Sequence, residues 1–375
     1  MHATPATLDP PFSVYLDLVR FMAALAVVLM HLRQFGLVDG PGADALTMLG
    51  REAVMAFFVM SGFVIAYTTA TRRPSAHDYA AARCGRIYSV ALPVLLLAFA
   101  AASLLPAHSD VRIERAYQLD KPWLYIPFHL LFMGDLWTLA EYPPWLAPWW
   151  SLNYEVWYYV LFGVAWYARG KRRIALAALV LAIMGIKLWL LLPVWLAGVA
   201  LYRWQARHAL PRTLARLGWC LSLALLAAYE ASGVEEALRA LGRASWLGHQ
   251  VALGSADRFL ADYVVCAIVC LNFACARWAG FGALMGRAGP IRLLASYTLT
   301  LYLSHALVLA AWPALYAHDP ANPLDLLALT AAVFLATAVL GMLTERRREA
   351  FRRLFQRLFA RLDQVRGRLY QGERQ

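Results

Sequence analysis

Long apolar segments separated by short polar breaks dominate the chain. They run near residues 14–33, 52–70, 87–105, 149–168, 173–188, 190–204, 216–231, 259–276, 293–313 and 324–343. At about 1.5 Å of rise per residue, roughly 20 apolar residues cross the ~30 Å hydrocarbon core of a bilayer. The fifth and sixth segments are short, and the boundary between them falls in 188–193. A further stretch, 123–137, is aromatic but contains Pro127, His129 and Asp135, which suits an interfacial or re-entrant piece. The pattern predicts an all-α polytopic membrane protein of about ten transmembrane helices. Composition agrees. Of 375 residues, 61% are hydrophobic and 15% charged, and the mean hydropathy is +0.53. Soluble domains are nearer 45–50% apolar and about 25% charged.

Charge orients the spans. With the N-terminus in the cytoplasm, 26 of the 35 Lys and Arg residues fall inside. The bias holds from loop to loop, as the positive-inside rule requires. Both termini are then cytoplasmic. A full span at 123–137 would turn the basic cluster at 169–173 outward and is rejected on that ground. The net charge of +12 belongs to span ends and to the tail, so no nucleic-acid partner is expected. The expected domains are a membrane-embedded unit, 1–343, with a long outer loop at 106–148, and a cytoplasmic tail, 344–375. Trp123, Trp137 and Trp145 in the loop either stack on a sugar or seat the loop at the interface. In the tail, Phe351, Leu354, Phe355, Leu358, Phe359, Leu362, Val365 and Leu369 recur every three or four residues among arginines. That spacing predicts a basic amphipathic helix on the anionic cytoplasmic leaflet. Cys84, Cys220, Cys266, Cys270 and Cys275 show no metal-ligand spacing, and neither a disulfide nor a metal is expected.

The informative residues are the polar ones at membrane depth, where ionisable groups are expensive and point to a functional role. Arg20 and His31 lie eleven steps apart on the first span. Eleven steps of about 100° return to within roughly 20° of one face, about 16 Å along the axis. Further clusters are Phe57-Phe58-Val59-Met60-Ser61-Gly62-Phe63, Arg83-Cys84-Gly85-Arg86, Trp150-Ser151-Leu152-Asn153-Tyr154-Glu155 and Tyr302-Leu303-Ser304-His305. Span direction puts His31 near an outer end, Glu155 about two turns below one, and His305 near mid-membrane. These three are expected to converge in the outer half, with Arg83 and Arg86 at the cytoplasmic side. Each cluster also has a plainer use: Arg20 snorkelling, Ser61-Gly62 allowing close helix packing, Arg83 and Arg86 fixing topology, His305 hydrogen-bonding a neighbour. A proton-coupled or solute transporter using the buried His, Glu and Arg residues is the alternative function.

Taken in order, Arg20-x10-His31, Phe-Phe-x-x-Ser-Gly-Phe, Arg83-x-x-Arg86-Ile, Trp150-Ser-Leu-x-x-Glu155 and Tyr302-Leu-x-His305 resemble the acyltransferase 3 family of integral membrane acyltransferases. The resemblance spans residues 12 to about 343. Ser89, Ser304 and Ala306 depart from its usual pattern. It implies ten spans and an O-acyltransferase, most simply an O-acetyltransferase, of the class transferring groups other than aminoacyl groups. The implied donor is cytoplasmic acyl-CoA, acetyl-CoA first. The acceptor would be a hydroxyl of a cell-envelope or exported glycan, or of a lipid-linked sugar, at the bacterial cytoplasmic (inner) membrane. His31 would act as base or as acyl relay, with Glu155 and Arg20 beside it as catalytic candidates. Arg83, Arg86, Ser61, Tyr302 and His305 are the candidate donor-binding residues.

Overall fold

The computed structural model describes residues 8–40, 42, 48–105 and 117–372. Residues 106–116 of the outer loop, with Arg112 and Arg115 among the expected outer cations, lie outside them, as do the side chains of Val365 and Leu369 and residues 373–375 of the tail. The protein is 82% helical, with no strand among the described residues.

Local chemistry sets most helix boundaries. α1 (Pro10–Gln34) opens on two prolines, whose missing N–H groups and fixed φ suit a first turn. α2 (Gly50–Arg72) stops where Arg73 takes a left-handed φ of 45° before Pro74. α3 (Ala76–Leu104) is capped by the Ser75 hydroxyl, which accepts from the Asp78 N–H at 3.1 Å. It begins eleven residues ahead of the predicted span, so Arg83 and Arg86 lie about two and nearly three turns inside a helix instead of at its start. α4 (Pro122–Leu130) has nine residues, about 14 Å, too short to cross. α5 (Trp149–Tyr167) and α6 (Gly170–Met184) precede a sharp turn at Gly185, φ 75°. A Cβ there would sit 2.6 Å from the Trp137 Cα, which is why the break falls here and not at Pro193. α7 (Ile186–Gln205), α8 (Arg212–Ser232), α9 (Val234–Ala244) and α10 (Phe259–Ala279) follow.

The ninth predicted segment is broken. α11 (Ala288–Ala295) ends and α12 (Thr298–Leu315) begins around residues 296–297. Ser296 and Thr298 turn their hydroxyls onto the Leu293 and Ala295 carbonyls at 2.7 and 2.8 Å, local bonds that compete with the helical ladder. The Glu345 carboxylate supplies the cap for α12, accepting from Thr300 N–H at 3.1 Å and Thr300 Oγ1 at 2.9 Å. α13 (Pro323–Leu343) then leads to the tail helix, α14 (Arg348–Gly372).

α2 is the central helix, packed on α1, α7 and α10. Its contact with α7 is glycine on glycine: a Cβ on Gly62 would lie 2.0 Å from the Trp195 carbonyl oxygen, and one on Gly198 1.9 Å from that of Val59. Small residues permit such backbone approach within a membrane. Buried Asp135 ties the loop to three other elements. It accepts from Asn153 at 2.8 Å, Ser255 at 3.0 Å and Lys187 at 3.2 Å, and Lys187 also donates to the Leu139 carbonyl. The tail helix lies along α3, with Phe355 against Tyr88 and Phe359 against His77, while Leu354, Leu358 and Leu362 are exposed.

Among the described residues, eight helices are long and apolar enough to cross a membrane. The two predicted spans not among them are α5 and α6. α5 has 19 residues, about 28 Å, but its Trp, Tyr, Asn and Glu content lowers its hydropathy. α6, with 15 residues, reaches only about 22 Å.

Candidate active site

α1, α2, α3, α5, α11, α12 and the start of the tail enclose a cavity of about 280 Å³. Five arginines line it: Arg20 from α1, Arg83 and Arg86 from α3, Arg292 from α11 and Arg348 from α14. Three carboxylates, Asp17, Glu155 and Glu345, face them. Cation therefore exceeds anion in the wall. Arg20 is held by Asp17 at 3.1 Å, one turn away on the same helix. Arg83 lies over the Tyr159 ring at 5.9 Å, and its Nε has no hydrogen-bond partner. Among the described residues no carboxylate lies within ion-pair distance of Arg83, Arg86, Arg292 or Arg348. Guanidinium groups left this way inside low-dielectric walls attract anions, phosphates foremost.

Glu155 is fixed by α2 and by its own helix. Ser61 Oγ donates to Glu155 Oε1 at 2.5 Å, and the Tyr159 hydroxyl, one turn further along α5, donates to the same oxygen. Trp195 Nε1 in turn donates to Ser61 Oγ at 3.1 Å. Gly62 therefore has the packing use expected of it, admitting α7, while Ser61 binds the Glu155 carboxylate, a contact the sequence reading did not assign. Tyr302 sits at the upper wall, its hydroxyl 2.6 Å from Ser151 Oγ and its ring against Phe57 at 5.6 Å.

Beyond Tyr302 lie two histidines. The ring centroid of His305 is 6.4 Å from that of Tyr302 and 5.0 Å from that of His31. Both rings are buried, and neither lines the cavity. The hydrogen bonds define the tautomers. His305 Nδ1 lies 2.8 Å from the Leu301 carbonyl, so it carries the proton and Nε2 keeps a lone pair. That Nε2 is 3.2 Å from His31 Nδ1, which is also 2.9 Å from the Val27 carbonyl. Two acceptors around His31 Nδ1 place its proton there. His31 Nε2 is then the unprotonated nitrogen, and no hydrogen bond engages it among the described residues.

His31 and His305 meet, as their depths predict. Glu155 does not join them. It faces the arginines and makes no hydrogen bond with His31, so an orienting role toward His31 has no contact behind it. His305 binds His31 and not the cavity, although its motif placed it with the donor-binding set. Sequence alone missed Tyr159, Arg292, Glu345 and Arg348. Tyr159 was within reach, because it lies four residues after Glu155 and so on the same helix face.

A family model described as an acyltransferase domain matches residues 13–345, nearly the whole chain. No curated protein and no solved structure matches the chain. The match covers every element that builds the cavity and the histidine pair except the tail helix, and this integral membrane protein therefore belongs to the acyltransferase 3 family.

Proposed function

We propose that the protein transfers an acyl group, acetyl in the simplest case, from cytoplasmic acyl-CoA to a hydroxyl of a cell-envelope or exported glycan, at the bacterial inner membrane. The observation that carries this reading is the arginine-lined cavity with Tyr302 in its wall, and the His305–His31 pair packed behind that ring. CoA bears three phosphate groups at one end and its thioester at the other. Arg83, Arg86 and Arg292 suit the phosphates, and the pantetheine arm would point toward Tyr302.

His31 Nε2 supplies the chemistry. As a base, it takes the proton of the acceptor hydroxyl while that oxygen attacks the thioester carbonyl. The C–S bond breaks and the CoA thiolate leaves with the proton. As a relay, Nε2 attacks the carbonyl itself and the C–S bond breaks to release the thiolate; the hydroxyl oxygen then attacks the acyl-imidazole carbonyl, the C–N bond breaks to free Nε2, and the hydroxyl proton passes to the thiolate. Either route needs the unprotonated Nε2 that His305 secures. On the outer side, Trp123 and Trp137, 74% and 50% exposed, are suited to stacking on a glycan.

The test is transfer of label from radiolabelled acetyl-CoA to an envelope glycan extract by wild type and His31→Ala in liposomes. General acid–base catalysis is worth about 10²–10⁴ in rate, and His31→Ala should lose at least that much while keeping its thermal stability. Equal transfer by both proteins would remove His31 from the reaction. Absence of transfer, together with absence of acetyl-CoA binding by folded wild type, would overturn the reading.

A further inference from the structure

The family match stops at residue 345, yet the cavity wall continues to Arg348. Between them the chain is tied down. Glu345 caps α12 through Thr300, and three residues later α14 begins. From there the tail helix is keyed to α3 at several levels. A Cβ on Gly85 would stand 2.8 Å from the Arg352 backbone nitrogen, so the tail backbone occupies a notch that any larger residue would fill. Phe355 packs against Tyr88 with ring centroids 5.4 Å apart, and Phe359 stacks on His77 at 6.2 Å. Gln356 Nε2 donates to Asp78 Oδ1 at 2.8 Å, and His77 and Asp363 approach to 3.4 Å. These contacts fix the register of α14 on the helix that carries Arg83 and Arg86.

Arg348 is thereby brought, exposed, to the mouth of the cavity, in the same wall as Glu345 but with no carboxylate within ion-pair distance among the described residues. The nearby tail anion Glu349 is bonded to Arg352 at 3.1 Å. A helix docked only for anchorage gains nothing from adding a guanidinium to a wall that already holds four. The like charges repel, and the arrangement is favourable when an anion sits between them.

We propose that the tail helix completes the donor site and that Arg348 binds a phosphate of the nucleotide end of the acyl-CoA. The inference rests on the acyl-CoA reading above. The pantetheine end carries no such phosphates, so the tail would act on recognition of the nucleotide and not on the acyl group. The Leu354, Leu358 and Leu362 face stays free for the leaflet.

The experiment uses the full chain in liposomes and compares KM for acetyl-CoA with KM for acetyl-pantetheine, which lacks the nucleotide, alongside direct CoA binding. Arg348→Ala should raise KM for acetyl-CoA about tenfold, as loss of a charge-assisted bond would, with kcat kept and the acetyl-pantetheine KM unmoved. Arg348→Lys should restore part of the loss. Gly85→Leu, which expels the tail from its notch, should copy Arg348→Ala, whereas Arg357→Ala, exposed on the same tail, should match wild type. If Arg348→Ala binds CoA and uses acetyl-CoA as wild type does, the inference falls and the acyl-CoA reading stands. A parallel loss with both thioesters also overturns it, since the tail would then only support the fold. A wild type that neither binds CoA nor consumes acetyl-CoA removes the reading and the inference together.

Discussion

At the scale of single residues, the geometry of the histidine pair turns on one proton. The Leu301 carbonyl sets His305, His305 sets His31, and the consequence is a free lone pair on His31 Nε2. A residue acting only through another should change kcat and not donor binding. His305→Ala is therefore expected to lower kcat by about 10–100-fold, the usual cost of losing the partner that orients a histidine, with KM for the donor unchanged. His305→Gln, which keeps an acceptor near His31 Nδ1, should recover part of the rate. Equal kcat in wild type and His305→Ala would show that the pair does not set the tautomer in turnover. Glu155 calls for a different test, because it is engaged by Ser61 and Tyr159 amid the arginines. Glu155→Gln should leave the histidine pair intact and alter donor KM; a pure kcat effect would return Glu155 to the chemistry. Much of this was legible beforehand. Depth in the membrane follows from counting residues from a span end, so His31 and His305 were expected to meet. Azimuth does not follow from counting. The face of α5 that meets α2 carries Glu155, bonded to Ser61, and Tyr154 and Tyr158, packed on Phe58, and these are contacts between helices that no count along one span reveals.

At the scale of elements, two devices hold the machinery. The α2–α7 contact admits no side chain at Gly62 or Gly198, since a Cβ would fall about 2 Å from a backbone oxygen of the partner helix. Overpacking commonly costs about 1–3 kcal/mol, and a clash with backbone belongs at the upper end. Gly198→Leu should lower the thermal midpoint in detergent and disturb Ser61, which shares the interface through Trp195; a midpoint equal to wild type would show that the helices separate freely. The second device is the Asp135 knot. Lys187, with no exposure, neutralises Asp135 between the loop and α7. Lys187→Met leaves a buried carboxylate uncompensated, a loss of about 3–5 kcal/mol where one partner of a buried pair is removed. The double variant with Asp135→Asn should regain most of it. The apolar pattern revealed these helices but not their interruptions. The break at 296–297 depends on hydroxyls returning to local carbonyls and on a carboxylate 45 residues away, a tertiary cap that no local pattern encodes. The tail shows the same division. Its 3–4 spacing reads as one apolar face, yet the aromatic residues at 355 and 359 face α3 and the leucines at 354, 358 and 362 lie exposed beside them, a split that hydrophobicity alone does not reveal.

At the scale of the whole molecule, charge and geometry both bear on how α5 and α6 sit in the bilayer. Eight helices satisfy length and hydropathy without them. Counting both or neither leaves the other spans in the same orientation, so overall topology does not decide the matter. The contacts at the two ends of α5 do. Near its start Asn153 donates to Asp135 at 2.8 Å, and at its far end the Tyr167 hydroxyl donates to the Pro74 carbonyl, between α2 and α3, at 3.0 Å. A helix that touches both layers must pass between them. The α5–α6 turn carries Arg169, Lys171, Arg172 and Arg173, which the positive-inside rule assigns to the cytoplasm. At about 22 Å, α6 is short for a ~30 Å core, and such a helix is accommodated by local thinning and by its basic end reaching the headgroups. A cysteine at Lys171, an exposed position, should therefore resist a membrane-impermeant maleimide in intact cells and react once they are permeabilised. Ala237→Cys, in the exposed outer segment before α10, should react in both. Labelling of Lys171→Cys in intact cells would place the α5–α6 turn outside and leave Glu155 without a route to the cytoplasmic arginines, so this one modification tests the orientation of the helix pair and the architecture of the cavity together.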